Sequence, residues 1–251
     1  MSMERKVLQE NKRYFVGYVT AGYPDRENSI RIIRKCCQSG LDIIELGFPA
    51  RDASLDGDVI RKAQMLVDKN LDSDITYWRE IRAAVNNPIW LMGYRQDLLN
   101  DDVYLKLAKE ELYDALVIPD MEQDERQKMQ LQLLPFNVTV VGFINSEMSK
   151  ANLDKTLQEA DIIYHQLYCG QTGVAHNDDS YLSLMNYTRA NSKAKLFAGF
   201  GINSSERVRK LLQHGYDGTI IGSAIMKLLE TDETQAYQFI ADVHNAVRSI
   251  E

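Results

Sequence analysis

Eight short apolar runs alternate with amphipathic stretches along this chain, and that rhythm constrains its fold more than any other feature. The runs are Tyr14 to Thr20, Asp42 to Gly47, Pro88 to Met92, Ala115 to Pro119, Val138 to Phe143, Ile162 to Leu167, Leu196 to Phe200 and Thr219 to Ile221. Each is rich in β-branched or aromatic residues and is followed by turn signals, as buried strands are. Helical stretches lie between them, among them Glu27 to Ser39, Asp58 to Asp68, Asp102 to Glu111, Asp124 to Leu134 and Ser205 to His214. The long stretch from Gly57 to Asn87 holds two helices. Eight strand–helix units in 251 residues match an α/β fold of the (β/α)8 TIM-barrel type in count and length. An open doubly wound sheet is the alternative, but eight regular units without larger insertions are not expected of it. A short amphipathic helix, Met3 to Asn11, is predicted to precede the first strand and to cover the barrel's lower end.

Composition narrows the class. The chain is 45% hydrophobic and 26% charged, with no low-complexity tract and no linker rich in Pro, Gly or Ser, so one domain spanning residues 1–251 is expected. A formal net charge of −7 and a pI near 5.2 argue against a nucleic-acid partner, which calls for a basic face. No apolar stretch approaches the roughly 20 residues that span a bilayer, and the start, Met1 to Lys6, lacks the apolar core of a signal peptide. No membrane association and a cytoplasmic location are therefore expected. Cys36, Cys37 and Cys169 are too few and too badly spaced for a disulfide framework or a zinc site.

One residue breaks the pattern. Glu45 sits inside the apolar run Leu41 to Gly47, where alternation places Ile43, Glu45 and Gly47 on one face and Ile44 and Leu46 on the other. A charge in a buried strand is expensive unless it is paired or used. Asp56 follows in Leu55-Asp56-Gly57, just where a helical pattern begins. Taken alone it reads equally well as a helix cap. With Glu45 it makes a pair of acids at the C-terminal end of one strand and in the loop after it, which is where barrel chemistry resides and how proton-transfer work is divided.

Glycine-rich segments supply a second signal: Gly170-Gln171-Thr172-Gly173 after the sixth predicted strand, Gly199-Phe200-Gly201 ending the seventh and Gly222-Ser223 after the eighth. A phosphate needs several backbone N–H groups at close range, which glycine permits, and a helix starting at Gly222-Ser223-Ala224 adds its dipole. Gly201 alone could simply turn the strand into the next helix. His165 is expected to be a satisfied lumen or interface histidine, because no spaced His or carboxylate partners accompany it as a metal would require. No lysine stands at the C-terminal end of a predicted strand, and Lys195 lies at the opposite end, which disfavours Schiff-base chemistry.

These residues resemble the alpha subunit family of tryptophan synthase. The resemblance runs over nearly the whole chain and is densest at Tyr18 to Pro24, Ile44 to Pro49, Leu55-Asp56-Gly57, Val117 to Asp120, Gly199 to Ile202 and Ile221 to Ile225. It implies a lyase that cleaves indole-3-glycerol phosphate to indole and glyceraldehyde 3-phosphate by an acid/base retro-aldol reaction, with no metal and no cofactor. It implies Glu45 as the general acid/base, Asp56 as the partner of the indole N–H, and Tyr164 near the reacting glycerol group. The phosphate would lie against Gly173, Gly201, Gly222 and Ser223, and Thr172 would belong to a loop that closes over the substrate. A beta-subunit partner is implied too, through a loop altered here at Arg51, Ala53 and Asp58. Met92-Gly93-Tyr94-Arg95 departs from the family's usual Met-Tyr-x-Asn. The new cations Arg51 and Arg95 raise the alternative of a paralogue acting on a different phosphorylated substrate. A non-catalytic subunit that activates a partner is the third reading.

Overall fold

A computed structural model describes residues 8–168 and 179–250. Among them, nine strand segments form one parallel sheet: β1 (Tyr14–Thr20), β2 (Ile43–Gly47), β3 (Ile89–Met92), β4 (Ala115–Val117), β5 (Thr139–Val140), β6 (Gly142–Ile144), β7 (Ile162–Gln166), β8 (Lys195–Gly199) and β9 (Gly218–Ile221). Their order, β5-β4-β3-β2-β1-β9-β8-β7-β6, winds the sheet into a (β/α)8 barrel. The single predicted run Val138 to Phe143 is split. Its lower half pairs with β4 and its upper half with β7, and the barrel closes through the chain itself at Val141, whose N–H donates to Leu116 O at 2.9 Å.

Strand alternation separates two cores. Tyr14, Val16, Ile43, Trp90, Phe197 and Ile220 point inward and pack on one another, with the Trp90 and Phe197 rings edge to face at 4.9 Å. Their neighbours Phe15, Val19, Ile44 and Leu46 point outward into the larger core beneath the helices. The predicted faces of β2 are thus the observed ones.

The helices begin where the sequence offers caps. Asp25 accepts the Asn28 N–H ahead of the helix Arg26–Gln38, Ser204 accepts the Arg207 N–H ahead of Ser205–His214, and Asp232 starts Glu233–Arg248. The helix Ser205–His214 stops at Gly215, which takes the left-handed conformation its φ of 114° requires. Between Gly57 and Asn87 lie two α-helices, Asp58–Leu66 and Ile75–Ala84, joined by a short 3-10 turn.

The predicted N-terminal helix is corrected in part. Residues 3–7 lie outside the described residues, and Leu8 to Asn11 form coil and turn instead of helix. Leu8 nevertheless packs against the inner core. Among the described residues, no helix is long and apolar enough to cross a membrane.

Candidate active site

The C-terminal ends of the strands surround a cavity of about 400 Å³. Glu45, Asp56, Tyr164, Gly201, Gly222 and Ser223 all line it, so every described residue that the sequence singled out for a site converges there. Thr172, Gly173 and Cys169 lie outside the described residues.

Glu45 reaches the cavity because parallel register sets it between Tyr18 on β1 and Trp90 on β3, on the inward face of β2. It is 2% exposed, and among the described residues its Oε1 has no hydrogen-bond partner. Burial pushes its carboxyl up to about 8, so it carries its proton at neutral pH. Asp56 is held differently. Gln64, on the helix Asp58–Leu66, clamps the start of the preceding loop by donating to Phe48 O and accepting from Ala50 N–H, both at 2.9 Å. The Asp56 N–H closes the loop on Ala53 O at 3.1 Å, and the Tyr94 hydroxyl donates to Asp56 Oδ1 at 2.7 Å. Burial raises this carboxyl to about 6, opposed by the Tyr94 hydrogen bond. One cavity therefore holds a protonated acid and a carboxylate, the division of labour that proton transfer requires.

Tyr164 is buried on β7, with its ring 4.9 Å from Phe143 and 6.0 Å from Phe200. Burial raises its hydroxyl and that of Tyr18, so both stay neutral donors beside Glu45. Beside Tyr164, past the end of β8, the chain turns sharply at Phe200 and Gly201, with φ of 73° and 70°. For a residue as bulky as Phe200 this left-handed conformation is strained. Next to the turn, Gly222 precedes the helix Ser223–Thr231, which no side chain caps. Its first N–H groups are left at the cavity wall, a ready set of donors for an anion.

Sequence reasoning missed Tyr18, Tyr94, Asn145 and Gln166, which line the same cavity. Asn145 Nδ2 donates to Gln166 Oε1 at 3.2 Å, which adds an amide pair to the wall. Tyr94, Asn145 and Gln166 stand at or just past the C-terminal end of a strand and Tyr18 two residues before one, positions that point to a barrel's mouth only once the barrel is known. His165 faces the helix layer, where the Tyr216 hydroxyl meets its Nδ1 at 2.7 Å and burial lowers it to about 4. Lys195 begins β8 at the lower end and pairs with Asp217. Arg51 pairs with Asp72 at 3.4 Å and Arg95 with Glu125 at 2.6 Å, and neither lines the cavity. The altered loop leaves Arg51 and Asp58 exposed and Ala53 half-buried.

A closed parallel barrel with two acids of opposite protonation at its C-terminal mouth places the chain among the (β/α)8-barrel enzymes. The family model described as tryptophan synthase alpha chain matches residues 5–251. The chain belongs to that family. The tryptophan synthase alpha chain of Sulfurisphaera tokodaii is 32% identical to it, over 90% of this chain and 93% of the relative. That of Bacillus licheniformis is 29% identical, over 88% and 85%. Of solved structures, tryptophan synthase from Mycobacterium tuberculosis superposes with a TM-score of 0.81 at 24% identity, covering 95% of this chain and 94% of the other. The Legionella pneumophila alpha chain superposes at 0.80 and 22% identity, covering 95% and 92%. At these identities the structures speak for the fold, and the sequence matches carry the family.

Proposed function

We propose that this chain is a lyase that cleaves indole-3-glycerol phosphate to indole and glyceraldehyde 3-phosphate. The observation that carries the reading is the pair of buried acids in one cavity, Glu45 raised to about 8 and Asp56 to about 6. The Glu45 carboxyl gives its proton to indole C3, which makes the ring an iminium-like cation. Asp56 accepts a hydrogen bond from the ring N–H and offsets that charge. The bond between C3 and the adjacent carbinol carbon then breaks, its electrons return to the ring, and the carbinol hydroxyl passes its proton to the Glu45 carboxylate. The products are indole and an aldehyde, and Glu45 ends as it began. Tyr164 donates toward the glycerol oxygens, and the phosphate sits on the N–H groups around Gly201, Gly222 and Ser223; the phosphate and loop roles that the family resemblance implies for Gly173 and Thr172 fall on residues outside the described ones.

Family membership supports a beta-subunit partner, and the loop carrying Arg51, Ala53 and Asp58 is the proposed contact. The protein would work in the cytoplasm as one barrel domain. No observation at the cavity favours a different phosphorylated substrate, because the two arginines that suggested one are paired with carboxylates away from it. The test is indole release from indole-3-glycerol phosphate by wild type and Glu45→Gln, with and without a beta subunit. Release by the wild type and at least a ~100-fold loss in the variant are expected. Turnover retained in Glu45→Gln sinks the assignment.

A further inference from the structure

Tyr94 reaches Asp56 from a position fixed by its own backbone hydrogen bonds and by the packing around Gly93. It lies two residues past Met92, the last residue of β3. The intervening Gly93 donates its N–H to Val117 O at 3.1 Å, and a Cβ there would stand 2.8 Å from Leu98 Cδ1 and 3.0 Å from Phe48 Cβ. The chain leaves β3 through a gap that admits no side chain. Tyr94 O then accepts the N–H groups of Asp97 at 3.1 Å and Leu98 at 3.0 Å. Its ring is 5% exposed. Asp56, in contrast, sits in an irregular loop and is buried to 4% exposure, and among the described residues no Lys, Arg or His lines the cavity. Among the described residues, the other ionisable groups in the cavity are Tyr18 from β1, Glu45 from β2, Asp120 after β4 and Tyr164 from β7, and none is cationic.

We propose that Tyr94 is a positioning residue of the reaction: its hydroxyl occupies Asp56 Oδ1, fixes the rotation of the carboxylate and leaves Oδ2 for the ring N–H of the substrate. This rests on the role given to Asp56 above. A carboxylate that turned freely, or that took up a proton, would lose its acceptor at the moment charge develops on the ring. The Tyr94 hydrogen bond works against the effect of burial on Asp56 and so keeps that acceptor available at neutral pH.

Tyr94→Phe removes the hydroxyl and keeps the ring. In the substrate-free protein, a carbon-13 carboxyl NMR titration, with Asp56→Asn to assign the signal, should show the Asp56 midpoint rising by about one pH unit. The acid limb of kcat/KM should rise with it. At pH 7, kcat should fall about 10-fold with KM changed less than about 3-fold, the effect of one hydrogen bond. In an Asp56→Asn background the same substitution should change nothing further. Fluorotyrosine at position 94 keeps the shape and strengthens the donor, so it should move the midpoint down, an opposite sign that a purely structural role does not produce. An Asp56 midpoint unmoved by either change, or an equal loss of kcat in the Asp56→Asn background, overturns the proposal. A wild type that releases no indole overturns the reaction instead, and the titration then decides the Tyr94–Asp56 coupling alone.

Discussion

Gly47 and Tyr18 occupy complementary space: a Cβ at Gly47 would stand 2.0 Å from the Tyr18 hydroxyl and 2.5 Å from Cζ. The two face each other across adjacent strands, where Tyr18 pairs with Glu45 and Thr20 with Gly47. Gly47→Ala therefore forces the ring out of its place beside Glu45. A loss of about 1–3 kcal/mol is expected, read as a lower midpoint in thermal denaturation, together with a lower kcat/KM. Adding Tyr18→Phe removes the nearest clashing atom and should recover part of the stability. Full additivity of the two substitutions would show that the contact does not limit the site.

Glu45 makes stability depend on pH in a direction opposite to the usual carboxylate. Its folded value, about 8, lies above its ordinary 4.5, so the folded protein holds the proton more tightly than the unfolded chain. Stability is then lost as pH rises from about 4.5 to 8 and changes no further from this group above that. Glu45→Gln removes the effect. Urea midpoints of variant and wild type should nearly coincide at pH 5, and the variant should lead by on the order of 2–4 kcal/mol at pH 8.5. A constant gap across that range would contradict a buried carboxyl whose Oε1 has no partner among the described residues.

Phe200 inverts the ordinary ranking of small residues. At its φ of 73° an alanine keeps the backbone strain and loses the packing on Phe143 and Tyr164, whereas glycine loses the packing and sheds the strain. Phe200→Gly should be more stable than Phe200→Ala by about 1 kcal/mol. Both should raise KM, since the ring lines the cavity. Equal stability of the two variants would argue against a strained turn.

The lower end of the barrel separates stability from activity. Asp217 is buried there, and although burial alone would raise its carboxyl, the Leu196 N–H at 2.8 Å, Arg189 at 2.6 Å and Lys195 at 3.2 Å hold it below its ordinary 3.8. Asp217→Asn is expected to lose roughly 2–4 kcal/mol while leaving kcat/KM within a factor of about two. The lost stabilisation is present above pH 3.8 and disappears as pH falls further, so the gap should close in acid. A large fall in kcat/KM at neutral pH would mean that the two ends are coupled.

What could be read from the sequence was whatever depends on local pattern. The alternation of β2 exposed Glu45 because one charge in an apolar run has few structural uses, and the eight regular strand–helix units pointed to the barrel. Tyr18 and Tyr94 were hidden for the same reason Glu45 was visible. A tyrosine in or beside a strand fits the ordinary taste of sheets for aromatic residues, and only the closed barrel shows that these two end beside carboxylates. The break at Val141 was equally invisible, because Val138 to Phe143 is a continuous apolar run and its change of partner is decided by the curvature of the whole sheet. The predicted helix over residues 3–11 rested on amphipathic spacing, which Leu8 satisfies from a coil by plugging the inner core.

The split fifth strand gives the cylinder a seam. Eight ladders join the nine segments in a line, and the two ends of that line, β5 and β6, are tied by covalent bonds through Val141. A nick in any helix-bearing connection leaves every ladder intact and the ring closed. A nick at Val141 would instead unroll the ring into an open sheet with two raw edges, the geometry that invites pairing with other chains. New termini made by circular permutation should thus be tolerated around the rim and refused at that one residue.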